Sequence, residues 1–517
     1  MTLSDLTVSL LLAVLPICGV IFGLYSTYRK WLDSPLRNLA YPPGPPAAIL
    51  LGNSMKLPFS QAWVTYADWA KEYGDIMYLN IYGQHTIILN SVDDAVELFE
   101  RRSRHYSDRP KNTIIDLMGW DFNVTFMPYG EQWRFHRRLL QQCFRSKASV
   151  VYQPIQTAKV HDLLYDLLTA PAGFRAHCKK ATTAIIMAIL YGHDLTPETS
   201  NYFSGLAEKA VAKLEGSLVP GAIVANYIPV LRYLPAWFPG AAFKHLAAEV
   251  KVLTSQMQEV PMDFVGKGLL KGTATPSLVS DLLENCYVQR EYDMIKRVAA
   301  SSYASGADTT VSPLLTFFLA MALFPAAQKK AQDEIDKVLG LDRLPNFADR
   351  PALPCVEALY REVTRWKPVT PLNTAHMATD DDVYKGYYIP KGSTIIANTW
   401  AMTRNEEKYP NPETFDPDRF LDKEGRLNDD NMVLNFGFGR RICPGRHLAS
   451  ATIWLTIVSV LATFDIRKKK DINGREIPIE GKYTDELVSH PHPFECSITP
   501  RRGNTGKLVR DAVKTSI

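Results

Sequence analysis

Apolar positions change their period several times along this chain, and each change predicts a different element. From Leu6 to Tyr28 the run LTVSLLLAVLPICGVIFGLYSTY carries no charge. At 1.5 Å per helical residue it is long enough to cross a bilayer core of about 30 Å. Asp5 precedes the run, and Arg29 and Lys30 follow it. That asymmetry predicts a retained membrane anchor over residues 1–31 with the body of the chain in the cytosol. A cleaved signal peptide would carry its basic flank in front and a small-residue cleavage site behind. Tyr41–Pro46 then reads YPPGPP. Prolines fix φ and resist helix, so residues 32–46 form a proline-rich linker, either a stiff spacer or simply a rigid loop.

Beyond the linker the pattern alternates. IMYLNIY (Ile76–Tyr82) and HTIILN (His85–Asn90) flank Gly83-Gln84 and predict a hairpin. Helical spacing then takes over, first in VDDAVELFERRS (Val92–Ser103) and later in KKAQDEIDKVLG (Lys329–Gly340), which ends on a glycine. Asp293–Phe324 reads as one unusually long apolar helix. Short strands return near Tyr384–Tyr388 and Ser393–Asn398. The fold class expected is mainly α with small β-sheets (α+β), as one catalytic domain over residues 47–501, followed by a polar tail over 502–517.

Composition narrows the function. The 517 residues include 58 basic and 54 acidic side chains, a net charge of +4. Nothing in that balance calls for a nucleic-acid partner. The seven cysteines (Cys18, Cys143, Cys178, Cys286, Cys355, Cys443 and Cys496) are widely spaced with no CxxC. This argues against a disulfide framework or a zinc site.

Cys443 differs from the other six in its surroundings, FGFGRRICPG (Phe436–Gly445). A thiolate is a soft ligand, and haem iron is one of the centres it can hold. Its charge then needs compensation from nearby dipoles. Gly437, Gly439 and Gly445 allow tight turns that aim amide N–H groups at sulfur. The apolar run RHLASATIWLTIVSVLATF would begin a helix beside it, with its positive end toward the thiolate. Phe436 would shield the sulfur from water, and Arg441 would reach a haem propionate. The alternative is an ordinary buried cysteine in a glycine-rich turn.

Phe436, Gly439, Arg441, Cys443 and Gly445 fill all five fixed positions of F-x-x-G-x-R-x-C-x-G. With them the chain resembles the cytochrome P450 family, from about Pro42 to Arg501. Three further motifs follow the family's pattern. Glu362-Val-Thr-Arg365 is followed by Pro417-Asp-Arg-Phe420. The resemblance implies a structural network of Glu362, Arg365 and Arg419. Ser305-Gly306-Ala307-Asp308-Thr309-Thr310 lies inside the long helix. Glycine and threonine weaken a helix there, and a threonine hydroxyl can bond back to a carbonyl. By resemblance, Asp308 and Thr309 are the acid–alcohol pair that delivers protons. Trp133 and Arg137, in WRFHR, and His376, in TAHMATDD, match propionate contacts.

The resemblance implies haem b (iron protoporphyrin IX) with Cys443 as axial ligand. The activity implied is monooxygenation, the insertion of one oxygen atom from dioxygen into a hydrophobic small molecule by hydroxylation or epoxidation. Fungal, membrane-anchored members are the best match, so a secondary metabolite such as a terpenoid is the expected substrate. Electrons would come from an NADPH-cytochrome P450 reductase at the endoplasmic reticulum membrane. Arg138, Arg440 and Arg446 form a docking patch for it or ordinary surface charge. Leu218–Gly240, LVPGAIVANYIPVLRYLPAWFPG, dips into the membrane or is a buried loop. Thr113–Met127, Val369–Thr374 and Leu487–Ser489 are the segments expected to face substrate. Asn123-Val-Thr125 is a glycosylation sequon, expected to stay unmodified in a cytosolic domain. Two other functions remain in play. One is a haem–thiolate isomerase or dehydratase that does not use dioxygen. The other is a non-enzymatic membrane haem protein for electron transfer.

Overall fold

The computed structural model describes residues 39–48, 51–58, 60–218 and 224–516. The anchor expected over residues 1–31, and the linker up to residue 38, lie outside the described residues.

Helices make up most of the domain. Those that frame the site are α1 (Glu131–Phe144), α2 (Gln153–Thr169), α3 (Phe174–Tyr191), α4 (Pro197–Leu218), α5 (Ala242–Lys271), α6 (Gln289–Asp308), α7 (Val311–Leu323), α8 (Pro354–Trp366), α9 (Arg446–Thr463) and α10 (Thr505–Ser516). The strands are β1 (Ile76–Ile81), β2 (Gln84–Leu89), β3 (His376–Met377), β4 (Asp382–Tyr384), β5 (Tyr387–Ile389), β6 (Thr394–Ala397), β7 (Phe464–Lys468) and β8 (Cys496–Pro500). The largest sheet runs β1-β2-β6-β3, and β4-β5 and β7-β8 are two-stranded. The expected hairpin is β1-β2, paired antiparallel with Ile81 opposite Gln84. Tyr82 and Gly83 turn it with φ of 51° and 83°. The β2-β6 pairing is parallel, with Thr86 opposite Thr394.

The core sits where α7, α8 and α9 meet β7 and β8. Nearly every residue of α7 is buried, including Phe317 and Phe318, and α9 buries Trp454, Ile457 and Leu461. A helix that is apolar all round belongs inside. The stretches Gln289–Leu323 and Arg446–Thr463 are long and apolar enough to cross a bilayer, yet 78% and 67% of their most apolar windows are buried inside the domain. The long helix expected over Asp293–Phe324 is resolved into α6 and α7, with Thr309 and Thr310 between them. Thr309 Oγ1 donates to the Ser305 carbonyl at 2.6 Å, which competes with the helical ladder at that turn. The start of α8 is capped from a distance. Its Pro354 needs no amide partner, and Glu334 accepts from Cys355 N at 2.9 Å and Val356 N at 3.0 Å.

Both expected domain boundaries move outward. The proline run lies on the sheet and does not stand off it. Tyr41 stacks on Tyr78 with ring centroids 4.7 Å apart, and Tyr78 N donates to Pro43 O at 2.9 Å. Asn53 Nδ2 donates to Pro45 O at 2.8 Å. A Cβ at Gly44 would sit 2.1 Å from the Tyr78 carbonyl oxygen, so only glycine lets the chain pass there. At the other end, residues 502–517 are not simply a polar tail, because α10 packs on α2. Val509 and Thr505 are buried, and His161 is hydrogen-bonded to the backbone of Ala512. The polar composition of that segment describes its outer face alone.

Candidate active site

The glycines of the cysteine loop have separate jobs. Gly437 and Gly439 take φ of 83° and 55°. A Cβ at Gly439 would lie 1.9 Å from the Phe99 carbonyl oxygen, so this loop is pressed against the turn Glu97–Arg101. Cys443 N donates to the Phe436 carbonyl at 2.8 Å and closes the loop. α9 begins two residues past Pro444, and the Gly445 and Arg446 amides hydrogen-bond to the sulfur. Burial pushes the Cys443 thiol pKa up. The Gly445 amide, the Arg137 and Arg446 charges and the Arg446 amide pull against that. Cys443 retains partial exposure because it lines a cavity, as do Phe436 and Gly445.

That cavity has a volume of about 340 Å³. Around it stand three buried guanidiniums. Arg441 donates to the carbonyls of Ser107 at 2.8 Å and Met127 at 2.9 Å, and its guanidinium lies 4.3 Å from the Trp133 ring centroid. Arg137 donates to the Ile442 carbonyl, while its Nε is buried without a partner, as is the indole Nε1 of Trp133. Arg109 is held by the carbonyls of Thr125, Thr374 and Ala375 at 2.7–2.8 Å. Burial pushes Arg137 down to about 10, Arg441 down to about 9 and Arg109 well below its ordinary value. Each also feels another buried or loop arginine nearby. Clustered, desolvated cations of this kind call for an anionic occupant. Haem propionates meet that need and would satisfy the two orphaned donors, so these residues fit haem.

His376 lines the same cavity, stacked 4.1 Å from the Phe99 ring. Its Nδ1 hydrogen-bonds the Tyr106 carbonyl at 2.7 Å, so that nitrogen carries the proton. Burial and the Arg109 charge hold its pKa well below the usual histidine range, leaving the ring neutral. A propionate contact through its other nitrogen therefore requires the second proton that an anion beside it would favour.

On α6, Asp308 and Thr309 line the cavity together with Ser305 and Gly306. α3 approaches closely at Gly306, where a Cβ would meet Ile186 Cγ1 at 2.9 Å. Asp308 Oδ2 hydrogen-bonds His490 Nε2 at 3.1 Å. His490 and Arg109 are site residues that no sequence motif marked.

The model of the cytochrome P450 family matches residues 42–497. Cytochrome P450 monooxygenase 208 of Postia placenta is 41% identical over 472 residues, covering 90% of this chain and 92% of its own. Cytochrome P450 monooxygenase claR of Ampulloclitocybe clavipes is 37% identical over 500 residues, covering 96% and 93%. Cytochrome P450 monooxygenase ple1 of Rhodocybe pseudopiperita is 39% identical over 506 residues, covering 96% of each chain. This chain belongs to the cytochrome P450 family. It has the P450 fold, and it is a haem-iron oxidoreductase of the monooxygenase type.

In this P450 the expected ion network is assembled. Glu362 and Arg365 are fully buried and paired through two bonds, Nε–Oε2 at 2.6 Å and Nη2–Oε1 at 2.8 Å. Arg419 Nε lies 3.3 Å from the same carboxylate, and Asp416 N donates to it at 2.8 Å. Burial pushes the Glu362 pKa up, and the two guanidiniums and the Asp416 amide oppose it. Arg365 also donates to the Thr403 and Pro412 carbonyls at 3.0 and 2.8 Å. Asn435 Nδ2 donates to Thr364 O at 3.1 Å and ties this helix to the cysteine loop. None of the three charged residues lines the cavity.

All three segments expected to face substrate supply cavity walls: Trp120 and Phe126, Val369 and Thr374, Leu487 and Val488. Sequence reasoning missed the walls from α3 and α4, among them Ile186, Leu214 and Glu215. The sequon Asn123 is buried, with its Oδ1 accepting from Thr125 N at 2.9 Å and Ser301 Oγ at 3.2 Å. Within Leu218–Gly240, Val230, Tyr233 and Trp237 are exposed by 66–80%, so that stretch is not a buried loop. Arg138 and Arg440 are exposed and Arg446 is half-buried.

Proposed function

We propose that the protein is a membrane-anchored P450 that hydroxylates or epoxidises a hydrophobic small molecule in secondary metabolism, such as a terpenoid. Electrons come from an NADPH-cytochrome P450 reductase. The chain is held in the endoplasmic reticulum membrane by residues 1–31, with the catalytic domain in the cytosol. The single observation that carries the reaction class is the juxtaposition of Cys443, three buried guanidiniums that have no carboxylate partner among the described residues, and the Asp308–Thr309 pair around one cavity. The exposed apolar side chains of Val230, Tyr233 and Trp237 support contact with a membrane and entry of lipophilic substrate from it. Arg138, Arg440 and Arg446, all outside the cavity rim occupied by substrate-facing segments, support docking of an acidic reductase surface.

Bound haem supplies dioxygen activation and oxygen-atom transfer. The chain's own residues do the rest. The Gly445 and Arg446 amides hydrogen-bond to the Cys443 sulfur and would favour its thiolate as the ligand of bound haem iron. Arg137, Arg441 and Trp133 would hold the propionates. Thr309 Oγ1 donates to the Ser305 carbonyl at rest; to relay a proton its hydroxyl would turn toward the cavity and release its own proton there as its oxygen accepts another. Asp308 exchanges a proton with His490 at 3.1 Å and passes it toward that hydroxyl. Apolar walls exclude bulk water.

A Cys443→Ser variant should lose the thiolate-type carbon monoxide difference spectrum and all turnover. If it kept both, the haem–thiolate reading would fail. An isomerase or dehydratase running on the same haem would need no dioxygen, whereas the intact Asp308–Thr309 pair favours oxygen activation. Anaerobic incubation with reductase and NADPH should therefore stop product formation. Metabolite profiling of a reductase-equipped host that expresses the chain identifies the substrate.

A further inference from the structure

The cavity over Cys443 is not alone. A second one, of about 240 Å³, opens beside Asn226 and Tyr227, and the two share lining from Arg109, Phe126, Glu215, Asn373, Thr374 and Leu487. These six residues form a neck between an outer and an inner chamber. Phe126 and Leu487 supply its apolar side. The donors of Arg109 are taken by backbone carbonyls at 2.7–2.8 Å.

Glu215 is different. It sits in the last turn of α4 and is only 4% exposed, and among the described residues it accepts one hydrogen bond, from Val488 N to Oε1 at 3.2 Å. No lysine or arginine pairs with it among the described residues. Its charged surroundings are the carboxylates Asp308 and Glu486, with His490 bonded to Asp308, and Arg109 across the neck. A buried carboxyl with a single weak partner is costly unless something completes it.

Resting on the P450 reading above, we propose that Glu215 is a specificity-determining residue that binds a hydroxyl or carbonyl oxygen on an otherwise apolar substrate reaching from the neck to the space over Cys443. Burial, Asp308 and Glu486 push its pKa up to about 9, so near neutrality it is an acid with an O–H to donate. One oxygen is occupied by the Val488 amide, which leaves the other for the ligand. An ammonium group would suit three carboxyls, but Arg109 in the same neck opposes a cation. The neutral oxygen function satisfies Glu215 without adding charge to a dry site.

The test uses the full-length, haem-loaded protein and three probes: dodecane, dodecanol and dodecyltrimethylammonium. Their dissociation constants are read from the absorbance shift that follows displacement of water from the haem pocket. Wild type should prefer dodecanol over dodecane by about tenfold. Glu215→Leu should remove that preference and leave dodecane binding unchanged or tighter. Glu215→Gln keeps a donor and should hold the preference within about threefold. Equal preference in wild type and Glu215→Leu, each with an intact carbon monoxide spectrum, overturns the assignment. So does dodecyltrimethylammonium binding more tightly than dodecanol and losing its affinity in Glu215→Gln, which would mark a cation site. If no probe binds, the apolar chamber is wrong. Absence of the thiolate-type spectrum in wild type is the separate failure of the haem–thiolate reading.

Discussion

Glu362 and Glu215 are both buried glutamates on helices that border the same domain, and they are treated in opposite ways. Glu362 has two guanidiniums and a backbone amide on its carboxylate, the nearest at 2.6 Å. Glu215 has one amide at 3.2 Å and two other carboxyls for company. A fully partnered buried charge is a structural fastener, and removing one member strands the others. A half-partnered carboxyl on a cavity wall contributes little to the fold and has capacity left for a ligand. The difference separates a part of this P450 built to stay fixed from a cavity wall that is free to choose its guest.

Three measurements sharpen or break that contrast. Glu362→Ala should destabilise the domain by roughly 3–5 kcal/mol in denaturant unfolding and lower haem retention. Glu215→Leu should cost far less in the same assay. Comparable losses would erase the distinction. Next in size, Asp308→Asn should lower the rate of product formation by about 10²-fold while stability and the carbon monoxide spectrum stay unchanged. A fall in pigment alongside the rate would place Asp308 with the fasteners.

The smallest effect is a pH slope. The Glu215 pKa is raised from 4.5 to about 9, so the folded protein binds a proton there that the unfolded chain has released. Stability from this group is complete below pH 4.5 and is lost as pH rises toward about 9. Melting temperatures of wild type and Glu215→Gln should therefore diverge across that window, with the variant losing less at the alkaline end. Asp308, Glu486 and His490 are the same in both proteins, so the comparison isolates position 215. Parallel curves would mean that the Glu215 carboxyl is ionised in the fold.

What was legible in the sequence was local. The cysteine loop, the Glu362–Arg365 turn and the Asp308–Thr309 step each span only a few residues, so the resemblance to the P450 family could mark them. The hairpin and the loosened turn at Thr309 were visible because they too are local. The hidden parts come from distant chain. His490 meets Asp308 across 182 positions, and Val488 meets Glu215 across 273. Arg109 in SDRPKN has no neighbour that marks it as buried. Polar composition also misled at both ends, because proline and charge describe a segment's outer side and say nothing of what lies beneath it. Tyr41 and Val509 are the residues that dock those segments.

That last docking constrains how this enzyme can be engineered. A designer who trimmed the chain at Arg501, where the expected catalytic domain stops, would peel a cover from α2 and open a wet, sticky groove along it. A self-sufficient fusion should instead graft its redox partner after the helix ends at Ser516, keeping that final clasp intact.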